Sequence, residues 1–342
     1  MSNKKILITG AAGFIGFHLC KKLLKNGEHV IGFDNLNKYY DINLKKRRLK
    51  ELDKHFVSKG SWTFYKNDLI EKKKMEEIFK KEKPTVVINL AAQAGVRYSF
   101  INPKSYIESN ITGFHNILEL SNLFKINNFI FASSSSVYGG NKNIPFSEND
   151  SVDHPVSLYA ATKKSNELMA HVYSHNYNLP CTGIRFFTVY GPWGRPDMAP
   201  MIFTDAIINK KPLQIFNGGE MSRDFTYVDD VIECILGLIE KPAKPNLSFN
   251  NFSPESSSSW APYRIFNIGK NSPIKLMEFI TALEKEIGMK AVKEFKPLQP
   301  GDVKNTAADT QKIFNWIKYK PNTPLEKGIK EFVDWYKKYN EI

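Results

Sequence analysis

The chain has 342 residues, 42% of them hydrophobic and 24% charged, which suits about two folded domains and excludes disorder as the dominant state. No apolar run reaches the ~18 residues that a membrane helix needs, so no membrane partner is expected. The net charge of +13 is spread over lysine clusters such as Lys21-Lys22, Lys45-Lys46 and Lys72-Lys73-Lys74, without interleaved aromatics, so no nucleic-acid partner is expected either.

In chain order, Lys5–Thr9 is a short apolar run and predicts a buried strand. The pattern over 14–26 predicts a helix stopped by Gly27. Gly10, Gly13, Gly16 and His18 break the apolar N-terminus, which therefore reads as strand, turn and helix rather than as a secretory signal. Residues 30–33 predict the second strand, and 41–60 a basic surface helix. Further strands are expected at 86–90 and 129–132, with a helical pattern at 107–124 between them. This alternation predicts an α/β fold: a Rossmann-type, doubly wound parallel sheet with helices on both faces. After about Gly191 the alternation loosens and Pro and Gly become frequent, which predicts a smaller α/β C-terminal substrate domain. The expected division is 1–186 for the dinucleotide domain, with 226–240 and 262–270 returning to it, and 187–342 mostly for the substrate domain. The polar stretch 248–260 reads as a mobile surface loop. Cys20, Cys181 and Cys234 are odd in number and widely spaced, so neither a disulfide framework nor a metal site is expected, and a reducing cytoplasm fits.

Gly10-Ala11-Ala12-Gly13-Phe14-Ile15-Gly16 follows a strand and opens a helix. Glycines there let the backbone turn tightly and approach a pyrophosphate at the helix N-terminus. Asp34 ends the second strand, 18 residues after Gly16. A carboxylate at that point can accept both adenosine-ribose hydroxyls and repels a 2′-phosphate, which favours NAD over NADP. Asp68 follows another predicted strand and suits the adenine amino group, or a helix cap.

Tyr159 and Lys163 lie four residues apart near the start of a predicted helix and so share a face. A tyrosine, ordinarily near pKa ~10, becomes a usable base when a cation beside it favours the phenolate. It could then take a hydroxyl proton while hydride leaves the same carbon. Ser133-Ser134-Ser135-Ser136 follows a strand at the sheet end where ligands bind, and Ser134 is placed to relay that proton.

Together these residues resemble the extended short-chain dehydrogenase/reductase family across essentially the whole chain. The matching pieces are the glycine cradle, the Leu90-Ala91-Ala92-Gln93-Ala94-Gly95-Val96-Arg97 segment, the serine run, the Tyr-Lys pair and the stretch 223–230. Within that family, 93–99, 133–139 and 190–199 are most similar to the UDP-glucuronate 4-epimerases. The resemblance implies an isomerase that epimerises UDP-glucuronate at C4 through a 4-keto intermediate with transient hydride transfer to bound NAD. Implied catalytic residues are Tyr159, Lys163 and Ser134. Implied NAD contacts are Gly10, Gly13, Phe14, Ile15, Gly16, Asp34, Asn35, Asp68, Leu69, Leu90, Ala91, Ala92, Tyr159 and Lys163. Implied substrate contacts are Arg97, Ser135, Ser136, Thr188, Arg195, Arg223 and Asp302, with Arg223 for the diphosphate and Asp302 for the uridine ribose. Related dehydratases carry an Asp-Glu pair at Ser135-Ser136, and decarboxylases a glutamate at Ser136. UDP-glucose 4-epimerases carry Asn at Thr188 and Arg at Gln299. These departures disfavour those activities. The readings left open are a 4-epimerase of another UDP-sugar, a decarboxylase, and a non-catalytic NAD sensor. Family members commonly form homodimers through a four-helix bundle, for which the helices at 103–124 and 158–176 are candidates.

Overall fold

The computed structural model describes residues 4–55, 61–298 and 303–342. Strand β1 (Lys5–Thr9) runs beneath the cradle and leads into helix α1 (Phe14–Lys25). There follow β2 (His29–Asp34), α2 (Ile42–His55), β3 (Ser61–Lys66), α3 (Lys72–Glu82) and β4 (Val86–Asn89). After the short turns α4 (Tyr98–Ile101) and α5 (Pro103–Tyr106), a π-helical segment (Ile107–Gly113) runs directly into α6 (Phe114–Leu123). Strand β5 (Asn128–Ala132), helix α7 (Leu158–Tyr177) and β6 (Cys181–Phe186) complete this half. The second half carries β7 (Thr188–Tyr190), α8 (Ala199–Ile208), β8 (Pro212–Phe216), β9 (Ser222–Arg223), β10 (Phe225–Tyr227), α9 (Val228–Glu240) and β11 (Tyr263–Ile268). The remaining elements are β12 (Ile274–Lys275), α10 (Leu276–Ile287), β13 (Val292–Lys296), α11 (Gln311–Ile317) and α12 (Leu325–Asn340).

Seven strands pair in the order β11-β6-β5-β4-β1-β2-β3, every neighbour parallel. The chain winds outward from β1 to β3, crosses back, and continues from β4 to the far edge. The point of reversal lies between β1 and β4, and a crevice opens at their carboxyl ends. The other strands form two-stranded pairs, β7 with β10, β9 with β12, and β8 with β13. Both sheet faces are covered, one by an apolar cluster that includes Met75, Phe114 and Ala170 of α3, α6 and α7. The other cluster is continuous from Phe17 and Leu23 of α1 through Ile235 of α9 to Phe225, Phe279 and Phe332.

Three segments differ from the sequence expectations. The helix expected over 107–124 opens into a wider turn at Ile107–Gly113. Its Asn110 side chain leaves the helix to bind the segment after β4: Nδ2 donates to Gln93 O at 3.1 Å, and Oδ1 accepts from Gln93 N at 2.8 Å. Asn166 Nδ2 takes the Asn110 carbonyl at 2.6 Å, so the helix does not have to satisfy it. The basic helix expected over 41–60 is α2, which ends at His55, and 56–60 lie outside the described residues. It is not wholly a surface helix, because Leu44, Lys45, Arg48 and Leu52 are buried. The stretch 248–260, read as a mobile surface loop, has a buried end: Ser257, Ser258 and Ser259 are enclosed, and Ser256 Oγ donates to Glu148 O at 2.6 Å.

Candidate active site

The crevice at the reversal point is a cavity of about 530 Å³. Its floor is the glycine cradle. Gly10 adopts φ +72°, and a Cβ at Gly16 would fall 2.1 Å from Gly10 O. Only glycine allows this turn to pass so closely under α1. The first-turn N–H groups of α1 that helical geometry leaves unpaired then face the crevice. Phe14, Ile15, Asn35, Asp68, Leu69, Leu90, Ala91 and Ala92 line the same cavity.

Asp34 ends β2 as expected, but its carboxylate already accepts Ala12 N at 3.1 Å through Oδ2 and Leu36 N at 2.8 Å through Oδ1. Each oxygen keeps a second lone pair for a hydroxyl. Burial pushes the Asp34 carboxyl up, opposed by Lys45 and by the two backbone N–H groups. Asp68 accepts from Asn35 Nδ2 at 2.7 Å, so the two residues reach the cavity as a pair. A tight phosphate-sized turn, a helix N-terminus and a carboxylate at the second strand end fit a dinucleotide.

Helix α7 brings the chemistry to this floor. Ser157 caps it, accepting Ala160 N at 3.1 Å, so Tyr159 sits in the first turn. Tyr159, Lys163 and Glu167 fall at i, i+4 and i+8 on one face. Lys163 Nζ donates to Ala132 O at 2.9 Å, at the end of β5. Glu167 Oε1 accepts from Ser133 Oγ at 2.6 Å, and Arg185 closes on both Glu167 oxygens at 2.9 Å. This buried pair fixes the serine run beneath Tyr159.

Ser134 hydrogen-bonds Tyr159, and its Oγ lies 3.1 Å from Ser136 Oγ. Burial pushes the Tyr159 hydroxyl up, and the Ser134 bond and the Arg195 charge pull it down. Burial lowers Lys163 to about 8. Lys163 lies one turn along the same helix face from Tyr159, with its Nζ bonded to Ala132 O, and the Arg195 charge adds to the pull on the Tyr159 hydroxyl.

Ser135, Ser136, Thr188, Arg195 and Arg223 line the other end of the cavity. Thr188 opens β7, held there by Thr188 N donating to Asp224 O at 3.2 Å. Arg223 Nη1 donates to Ser222 O at 2.9 Å and Lys304 O at 2.8 Å. Arg97 is not among the lining residues; its exposed guanidinium lies over the Phe216 ring, 5.0 Å from the centroid. Asp302 and Gln299 lie outside the described residues.

Sequence reasoning missed four residues here. Lys45 lines the cavity, and its Nζ donates to Asn37 O and Oδ1 at 3.0 and 2.7 Å. Arg48 is fully buried and donates to Ala12 O in the cradle and to Trp193 O and Gly194 O across the crevice. Tyr39 and Asp197 meet at the cavity mouth, Tyr39 Oη donating to Asp197 Oδ2 at 2.9 Å. Only the aromatic pair Tyr39-Tyr40 and the position of Asp197 two residues after Arg195 hinted at this.

Residues 7–332 match the family described as GDP-mannose 4,6 dehydratase. Protein CapI of Staphylococcus aureus is 56% identical over 335 residues, covering 98% of this chain and 99% of its own. A probable UDP-glucuronate 4-epimerase of Rhizobium meliloti is 45% identical over 336 residues, covering 97% and 96%. The crystal structure of a UDP-glucuronic acid 4-epimerase from Bacillus cereus, in complex with UDP-glucuronic acid and NAD, superposes with a TM-score of 0.84 at 34% identity, covering 98% of this chain and 99% of that one. No described helix is long and apolar enough to cross a membrane. With matches of this extent and a seven-stranded parallel sheet carrying the cradle and the Tyr-Lys helix, the chain belongs to the GDP-mannose 4,6-dehydratase-type branch of the extended short-chain dehydrogenase/reductase family.

Proposed function

We propose that the chain interconverts UDP-glucuronate and UDP-galacturonate by epimerisation at C4. The observation that carries this reading is the composition of the cavity end around Tyr159. Hydroxyls of Ser134, Ser135, Ser136 and Thr188 and the Arg195 cation line it, while the lining carboxylates, Asp34 and Asp68, belong to the cradle end among the described residues. Such a wall suits a sugar with a carboxylate and offers no acid-base pair for dehydration. The two relatives named as UDP-glucuronate 4-epimerases support it.

Gly10, Gly13, Gly16, Asp34 and Asp68 would hold NAD at the cradle, where it would supply a reversible hydride acceptor for C4. Tyr159 Oη takes the 4-hydroxyl proton and later gives it back, with Ser134 completing the relay. Lys163 holds the end of β5 under that hydroxyl. Arg223 matches the diphosphate with a planar fork of donors. Asp302 is assigned to the uridine ribose, and Arg97 to a further substrate contact, from the family resemblance. A 4-keto uronate is a β-keto acid, prone to lose CO2 when its carboxylate is desolvated. Donors from Ser135, Ser136, Thr188 and Arg195 keep that carboxylate hydrogen-bonded and oppose the loss. A neutral UDP-sugar would offer no carboxylate to the edge of Arg195 that Asp197 leaves open, which disfavours that alternative.

We assign 1–186, with 226–240 and 262–270, to cofactor binding and most of 187–342 to the sugar nucleotide. Ile107, Leu168 and Val172, about half exposed on the two long helices, support a homodimer formed through a four-helix bundle. Three buried free thiols suit a reducing cytoplasm.

The test is NMR of purified protein with UDP-glucuronate and no added NAD. New anomeric signals of UDP-galacturonate, reaching one mixture from either substrate, are expected. An unchanged spectrum with NAD confirmed in the protein overturns the substrate, and a pentose product with CO2 overturns the reaction.

A further inference from the structure

Arg195 is held within its own loop by Asp197, which is braced from another loop. Its Nε donates to Asp197 Oδ1 at 3.0 Å and its Nη2 to Asp197 Oδ2, so Asp197 fills one edge of the guanidinium. A guanidinium has a second edge that can meet a carboxylate in the same bidentate way. On Arg195 that edge ends in Nη1, which has no acceptor among the described residues. Tyr39 Oη donates to Asp197 Oδ2 at 2.9 Å from the loop after β2.

Tyr39 is itself fixed. Its ring packs on Tyr98 with centroids 4.8 Å apart, and a Cβ at Gly95 would fall 2.3 Å from its hydroxyl. Gly95, at φ +96°, thus makes room for Tyr39. Burial works against the Asp197 carboxylate, but Arg195 and Tyr39 outweigh it and its pKa falls below the ordinary value. The pair is therefore charged at neutral pH. Tyr39, Gly95 and Arg195 all line the cavity that holds Tyr159 and the serine run. An isolated surface pair of residues two apart would need none of this support from two other loops.

We propose that Asp197 and Tyr39 are positioning residues for substrate recognition: they grip Arg195 by one edge and leave the other aimed at the sugar carboxylate. The inference rests on the reading of Arg195 as the ligand of that carboxylate. Holding a long cationic side chain in place beforehand removes part of the ordering cost of binding. The gain falls on the charged sugar and not on the nucleotide, which Arg223 meets elsewhere.

The test is steady-state kinetics with UDP-glucuronate, together with the inhibition constant of UDP and the NAD content of each variant. Asp197→Asn should raise KM about tenfold, the scale of one hydrogen bond to a charged group, with kcat within about twofold and UDP inhibition unchanged. Tyr39→Phe should raise KM about threefold, and Asp197→Glu should recover part of the loss. If Arg195→Met leaves KM unchanged, the reading of Arg195 fails. If Arg195→Met raises KM but Asp197→Asn does not, or lowers it, the positioning role alone fails. An equal loss of UDP affinity in Asp197→Asn also overturns it, since the effect would then be general.

Discussion

The face of α7 and the mouth of the cavity meet at the same substrate, yet they are built in opposite ways. On α7, Tyr159, Lys163 and Glu167 recur every fourth residue of one helix, and Lys163 and Glu167 are each 2% exposed. Each is tied to the sheet, Lys163 at the end of β5 and Glu167 through Ser133 and Arg185. The mouth collects Arg195, Asp197, Tyr39 and Gly95 from three loops, and the Arg195 and Asp197 side chains are 23% and 30% exposed. The difference separates two tasks. Proton transfer needs an oxygen fixed in position, which a buried helix face supplies. Choosing a sugar needs a surface that can vary while the sheet stays as it is, which loops supply.

If that division holds, variants on the two sides should fail differently. The largest expected effect is on the helix. Tyr159→Phe should lower kcat by about 10²–10⁴, the range for loss of a positioned acid-base group, while NAD content and UDP binding stay as in the parent. A comparable fall in UDP binding would show that the helix face also holds the nucleotide, and the division would break. The second effect concerns the support beneath it. Arg185 is fully buried against Glu167, at 0% and 2% side-chain exposure. Glu167→Gln leaves that cation uncompensated and should cost about 3–5 kcal/mol in urea unfolding. A loss under about 1 kcal/mol would mean that Arg185 finds another partner in Tyr138 Oη, 3.1 Å from Nη1.

The two regions were also unequally legible. Features that depend on local spacing could be read directly: glycines at 10, 13 and 16, a carboxylate at the end of β2, and Tyr and Lys one helical turn apart. The parallel sheet followed from strand-helix alternation, and β11 does pair with β6 at its edge. Contacts between loops distant in the chain left no such signal. Nothing in a run of lysines and arginines separates buried Arg48 from its exposed neighbours, because its acceptors are backbone carbonyls of Ala12, Trp193 and Gly194. Arg97 sits inside a segment similar to family members, and its guanidinium lies over the Phe216 ring, a contact with the end of β8 far along the chain that spacing does not reveal. The π turn at Ile107–Gly113 was equally hidden, since apolar periodicity does not reveal that Asn110 and Asn166 will take over helix hydrogen bonds.

The mouth is nevertheless joined to the cradle, and an effect that vanishes at neutral pH, the smallest expected there, probes that joint. Three consecutive carbonyls precede Arg195. His18 of α1 meets Pro192 O at 2.8 Å, and Arg48 takes Trp193 O at 2.6 Å and Gly194 O at 3.2 Å. His18 must donate through Nε2 to a carbonyl, and burial pushes its pKa down to about 3 from 6.5. Between those values the unfolded chain binds a proton that the folded chain does not. Stability should therefore fall as pH drops from 6.5 toward 3, by up to about 1.4 kcal/mol per pH unit from this one group. His18→Gln keeps a neutral donor and removes the titration. The variant should gain on the parent steadily below pH 6.5 in urea midpoints, while the two curves run parallel above it. Parallel curves over the whole range would mean that His18 accepts a proton in place. The substrate loop would then not depend on a neutral histidine for its hold on the cradle helix.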